Sequence, residues 1–217
     1  HKTIKTMELQ VTNQNGILLP TIINYPKSIE RITINDDKPV RSTNTFVEAN
    51  TKEVSLSHLK NDCIIPVFAK DNETSISHYD FIDVVAESVN QYFPMEQIDT
   101  PNIRISHPIK GRIPEAVHKP VEQLLENEKT IYYERMAFML EIPTITEQVN
   151  GNTLNLTIGG VRAYNHENLY SKKGMEKFKL FIGFQNLVCT NLCVSTDGYA
   201  SEIRVSSAMD LREKVFE

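Results

Sequence analysis

Between residues 130 and 158, apolar and polar side chains alternate on both sides of a single dipeptide, Asn150-Gly151. A two-residue turn between twisted antiparallel strands requires positive φ at both central residues, which Asn and Gly tolerate, so the pattern predicts a long β-hairpin. Its first strand is expected to carry Tyr132, Met136, Phe138, Leu140 and Ile142 on one face. In its second strand Leu154, Leu156 and Ile158 alternate with Thr153, Asn155 and Thr157, and Gly159-Gly160 marks either a bulge or a close approach of backbone. The same period returns at Phe178, Leu180, Ile182 and Phe184, and a further strand is expected from Leu187 to Val194. An Asp197-Gly198 turn then leads into Ile203 and Val205.

Ahead of the hairpin the period is helical. Ser77 precedes Phe81, Ile82, Val85, Val89, Tyr92 and Phe93 at three-to-four-residue spacing, with Asp80 and Asp83 in the first turn and Pro94 at the end. These signals predict an amphipathic helix lying on the sheet. A second helix is expected after Ser207, through Met209, Leu211, Arg212, Val215 and Phe216. The expected class is α+β, a mostly antiparallel sheet of about five strands flanked by a helix before and after it. Residues 54–217 are expected to form this core, opened by a short β-like run from Cys63 to Phe68. Residues 1–53, rich in Thr, Asn, Ser and Lys with a turn at Asn15-Gly16, read as an N-terminal arm or a small β subunit. The chain begins at His1 and stops within the second helical pattern at Glu217, which predicts a core truncated at its C-terminal end.

Composition narrows the function classes. The chain has 217 residues, 40% hydrophobic and 24% charged, and no apolar run approaches the ~18 residues of a membrane helix, so no membrane span is expected. With 23 basic and 28 acidic residues the net charge is −5, which excludes a wholly basic nucleic-acid coat and leaves room for a local patch. The odd number of cysteines (Cys63, Cys189, Cys193) and the lack of a leader pattern predict a reduced, cytoplasmic protein. Cys189 and Cys193 are read as small buried hydrophobes on one strand face, because structural zinc needs a second close pair or spaced histidines. Gly-x-Gly-x-x-Gly, Walker, His-Glu-x-x-His and Gly-x-Ser-x-Gly runs are all missing, so no cofactor is expected. Glu134 and Glu141, an odd step apart, fall on opposite strand faces and make no acid/base pair.

One segment departs from the acidic average. From Arg104 to Pro120, four basic side chains (Arg104, Lys110, Arg112, Lys119) face a single acidic one, Glu115, in what reads as a loop braced by three prolines. Pro120 suits the first position of a short helix, whose free N–H groups beside Lys119 would form an anion site. Arg135, Lys172, Lys173, Lys177 and Lys179 are candidates to extend the patch. Tyr132, Tyr133, Tyr164, Tyr170, Phe181 and Tyr199 offer flat rings for stacking, although most are expected in the core.

Four runs carry a resemblance: His58 to Phe68, Ser106 to Ala116, Tyr133 to Phe138, and Leu156 to Asn165. They resemble a family of uncharacterised proteins carried on phages and conjugative elements of gut anaerobes, over about residues 50 to 217. The run Leu187 to Cys193 is similar, over a short stretch, to a broader family of phage/plasmid-like proteins of unknown function. The resemblance implies a mobile-element setting in a bacterial cytoplasm and a longer native chain, and it assigns no residue roles. The leading expectation is an accessory protein that binds nucleic acid, single-stranded DNA in particular, without catalysis, through the nine basic residues named above. The alternative is a protein-binding module, a counter-defence factor or oligomeric scaffold, that meets a host protein or its own copy through a sheet edge. Last comes a metal-dependent hydrolase built on His107, His118 and Glu115.

Overall fold

The computed structural model describes residues 50–65, 75–164, 174–190 and 192–217. The Asn15-Gly16 turn and the rest of residues 1–49, the end of the Cys63–Phe68 run, Tyr170, Lys172 and Lys173 lie outside the described residues. The Asn150-Gly151 signal is realised directly. Strand β3 (Lys129–Val149) turns through Asn150 (φ 51°) and Gly151 (φ 81°) into β4 (Asn152–Ala163). Their register is shifted between Ile142 and Thr146, around Pro143, which has no N–H to give to the ladder.

Strand β2 (Asn102–Arg112) pairs antiparallel with β3, and the short β1 (Lys52–Val54) pairs with β2. On the other side β4 pairs with β5 (Glu176–Gly183), and β5 with β8 (Tyr199–Val205). The result is a six-stranded sheet of order β1-β2-β3-β4-β5-β8, so the fold is α+β with a mostly antiparallel sheet. β1 and helix α1 (Leu56–Asn61) precede the long helix α2 (His78–Tyr92), so the sheet begins in sequence before that helix. No helix among the described residues is long and apolar enough to cross a membrane.

Three local expectations are corrected. The basic stretch from residue 104 is a strand as far as Arg112: Ile103 and Ile105 bury one face, and the chain leaves the ladder only at Ile113. The strand expected from Leu187 to Val194 is a hairpin, β6 (Asn186–Cys189) and β7 (Cys193–Thr196), whose turn includes Leu192 at φ 66°. Cys189 and Cys193 are thereby cross-strand partners rather than neighbours along one strand. On β3 it is Tyr133, not Tyr132, that joins Met136, Phe138, Leu140 and Ile142 in one cluster. The pleat is disturbed there by its partner β2, where His107 has φ 55° and Pro108 lacks an N–H.

The helices share one face of the sheet. Helix α2 starts with a capping box, in which Ser77 Oγ accepts from the Asp80 N–H (2.9 Å) and Asp80 Oδ2 accepts from the Ser77 N–H (3.1 Å). Its buried stripe of Phe81, Ile82, Val85 and Val89 packs on Phe138 and Phe178, and the Phe81 ring meets Phe138 edge-on at 5.3 Å. Helix α3 (Ala208–Phe216), capped by Ser207, buries Leu211 in the same cluster, and Tyr92 Oη donates to the Phe216 carbonyl at 2.6 Å. On the opposite face a smaller cluster of Ala137, Met139, Val161, Ala163 and Phe181 is covered by Val188 and Leu192 of the β6–β7 hairpin.

Gly159-Gly160 lies between the two layers without a bulge, since its register with β3 and β5 is continuous. A Cβ at residue 160 would stand 2.5 Å from the Phe81 ring, and one at residue 159 would stand 2.6 Å from the Phe181 ring. Of the two expected meanings of this dipeptide, close approach is the one realised, and it occurs on both faces.

Candidate functional site

Seven of the nine basic residues fall within the described structure, at separate places. Arg104 straps β1 to β2: its Nε donates to Thr51 Oγ1 at 2.9 Å, and its guanidinium also reaches the Thr51 carbonyl and Glu53. Lys179, on the hairpin side of β5, donates to the Leu192 carbonyl at 2.6 Å. Lys177 is half-buried opposite Arg204 in the β5–β8 ladder. Arg135 is half-buried on β3, its Nε enclosed without a hydrogen-bond partner.

Lys110, Arg112 and Lys119 come together on an arm. Beyond Ser106 and Arg135 the β2–β3 ribbon runs on past the last β4 pairing, held at its base where Tyr133 packs in the helix-face cluster and Ile131 bridges to Cys63. Its tip, residues 113–128, is a set of 3-10 turns closed by the Ile113 N–H donating to the Glu128 carbonyl at 2.9 Å. Within it Arg112 donates to the Lys119 carbonyl and Lys119 to the Glu128 carboxylate. The Lys119 ammonium and the Leu125 N–H together hold the Glu128 carboxyl below the usual carboxylate range. The short helix expected after Pro120 is one 3-10 turn, Val121–Gln123, in which the Gln123 and Leu124 N–H groups are spent on Pro120 and Val121. Residues 110–129 hold four basic and four acidic side chains, so the excess visible up to Pro120 is offset by Glu122, Glu126 and Glu128 just beyond it. Of the stacking candidates, Tyr133, Tyr164 and Phe181 are buried, Tyr132 is half-buried, and Tyr199 is exposed.

A second constellation joins the end of helix α1 to strand β3. Asp62 Oδ2 is 2.8 Å from His58 Nδ1, and His58 Nε2 is 2.9 Å from Tyr133 Oη. The carboxylate only accepts, so Nδ1 carries a proton, and in the tautomer with Nε2 unprotonated that nitrogen accepts from the Tyr133 hydroxyl. This carboxylate–imidazole–hydroxyl order is that of a nucleophile with its base. The chemistry points the other way: burial, with Cys63 and Asp62 nearby, raises the pKa of Tyr133, and burial pushes the Cys63 thiol up to about 11. Both stay protonated at neutral pH. Deeper still, His78 Nε2 donates to the Tyr133 carbonyl at 2.8 Å, and burial followed by the charge of Arg162 lowers the His78 pKa to about 3. Arg162 is itself fully buried, donating to the Ile76 carbonyl and to Glu176, with its guanidinium 4.3 Å from the Tyr164 ring centre. His107 binds its neighbour Ser106 and His118 is exposed on the arm. Among the described residues no group of three or more His, Cys, Asp or Glu side chains could hold a metal ion.

The third place is a cleft of about 830 Å³ on the hairpin side of the sheet. Its floor is Met139 and Glu141 of β3 with Asn155 and Thr157 of β4, and its rim is formed by residues 184–187 and 195–197 at the base of the β6–β7 hairpin. Asn155 Nδ2 holds Glu141 Oε1 at 2.6 Å, and Asp197 Oδ1 accepts the N–H groups of Phe184 and Gln185, each at 2.9 Å. Asn186 donates to Thr157 Oγ1 and to the Gly183 carbonyl, which leaves its own Oδ1 enclosed and without a partner.

A family model described as "Domain of unknown function, B. Theta Gene description (DUF3871)" matches residues 28–217. The chain belongs to this family. No curated protein and no solved structure matches it. In this DUF3871 chain neither the His58–Asp62–Tyr133 arrangement nor the cleft was marked by motif spacing. The one local signal was His58 and Asp62 four apart on a helix, since Tyr133 and the parts of the cleft meet only through the sheet.

Proposed function

We propose that the chain is a non-catalytic protein-binding module that docks a second copy of itself through the β2–β3 arm. The observation that carries this reading is the arm's surface, where Val117, Val121 and Leu125 of the tip are each 58–63% exposed and Ile109 of the ribbon is exposed too. Large apolar side chains gathered on one projection are a mark of interaction surfaces. The equal number of basic and acidic side chains on residues 110–129 suits a two-fold contact, in which one patch must complement itself. The chain as a whole carries −5, so two copies repel least where local charge cancels. The mobile-element setting rests on the sequence resemblance alone; within it the module would serve as a scaffold or counter-defence factor.

Sedimentation equilibrium tests the reading. Wild type is expected to form a concentration-dependent dimer, and Val121→Asp with Leu125→Asp to give a monomer of unchanged helix content. A wild-type monomer at high micromolar concentration overturns it. The second reading is sequence-independent single-stranded DNA binding, favoured by exposed Lys110 with Arg112 and Lys119 close by. It predicts anisotropy binding that weakens steeply with salt and is lost in Lys110→Ala with Arg112→Ala, whereas the dimer model predicts no such binding at physiological salt.

A further inference from the structure

We infer that the cleft between the β3–β4 floor and the base of the β6–β7 hairpin is a binding site for a neutral, hydroxyl-rich ligand, a short saccharide in chemical class. The volume, about 830 Å³, lies in the range of small-molecule sites. Among the described residues no Lys, Arg or His lines it, whereas Glu141 and Asp197 do, so phosphate and carboxylate ligands meet repulsion from these two carboxylates. Both carboxylates are held in place before any ligand arrives, Glu141 by the Asn155 amide and Asp197 by two backbone N–H groups. Fixed acceptors of this kind select ligands that donate hydrogen bonds. The remaining polar lining consists of Asn, Gln, Ser and Thr side chains, which both donate and accept, as a sugar hydroxyl does.

Asn186 is tied through Nδ2 to Thr157 Oγ1 and the Gly183 carbonyl, which fixes its place in the lining. Met139 and Leu187 supply the apolar contact that the C–H face of a sugar ring requires, and Leu187 stands 43% exposed at the rim. Glu141 accepts from a ligand hydroxyl through the oxygen that Asn155 leaves open, so Glu141→Gln removes a charge-assisted hydrogen bond while keeping side-chain size.

The test is saturation-transfer NMR on the whole chain with neutral trisaccharides of glucose, mannose, galactose, xylose and N-acetylglucosamine. Spermidine and adenosine monophosphate serve as cationic and anionic comparators. At least one trisaccharide is expected to bind the wild type and to bind Glu141→Gln about tenfold more weakly, the loss of one hydrogen bond to a charged group. Unchanged thermal unfolding of Glu141→Gln shows that the loss is local. Leu187→Arg, at the exposed rim, is expected to weaken the same trisaccharide without unfolding the chain. Binding of none of the five trisaccharides, binding of spermidine or the nucleotide in their place, or equal saccharide binding by all three proteins overturns the inference.

Discussion

The two faces of the sheet are built to different ends. On the helix face, α1, α2 and α3 cover a continuous cluster in which Phe81, Phe138, Phe178, Met136 and Leu140 are fully or almost fully buried. Of the polar groups admitted there, Arg162 is paired with Glu176 and His78 Nε2 with the Tyr133 carbonyl, while His78 Nδ1 is enclosed without a partner. On the other face one hairpin covers a smaller cluster and leaves an open polar cleft beside it. The helix layer spends its buried charge internally, on the pairing of Arg162 with Glu176. The thinner layer keeps carboxylates and amides at the surface, and that is where recognition chemistry is available.

Disrupting the helix face should have the largest effect. Glu176→Ala strips a fully buried guanidinium of its carboxylate and is expected to cost about 3–5 kcal/mol in denaturant unfolding, as is Phe81→Ala through the cavity it leaves. Phe181→Ala on the hairpin face should cost less, about 3 kcal/mol, because a single hairpin can settle into the space more easily than three helices. If both Phe variants lose the same amount, the asymmetry of the faces is only geometric.

The smallest effect is a pH dependence of the helix face. His78 is held neutral down to about pH 3, whereas in the unfolded chain it takes up a proton near its ordinary value of 6.5. The unfolded state therefore binds more protons between these values, so stability falls as the pH drops below 6.5, by about 2 kcal/mol at pH 5. His78→Gln should flatten thermal stability between pH 6.5 and 5, where Asp and Glu contribute little. An unchanged slope in that variant would place the acid sensitivity elsewhere.

How much of this was legible follows from how local each signal is. Ser77 with Asp80, Asn150-Gly151 and the alternation through Phe178 to Phe184 are short-range patterns, and each formed the expected element. β2 was harder to read because Pro108 and the charges around it resemble a loop, although Ile103 and Ile105 already alternate. The β6–β7 turn is hard to read because between Cys189 and Cys193 the sequence offers a lone Asn191 and no Gly or Pro, and Leu192, at φ 66°, is not a residue that favours positive φ. The positive charge of residues 104–119 is plain along the sequence, but the acidic residues that offset it come from the far side of the same tip. The cleft depends on β3, β4 and a hairpin distant in sequence, and no linear pattern records their meeting.

The glycine pair in β4 has a consequence for how this fold can vary over time. Phe81 from one layer and Phe181 from the other press on adjacent residues of the same strand, so neither layer is a removable module. A side chain gained at residue 159 or 160 would have to be accompanied by a smaller ring on the matching face, and the two changes would have to arrive nearly together. Sequence drift in the helices and in the hairpin should therefore be slow and correlated around this one step of backbone, whereas a change in the arm, which borders neither glycine, needs no matching change in either layer.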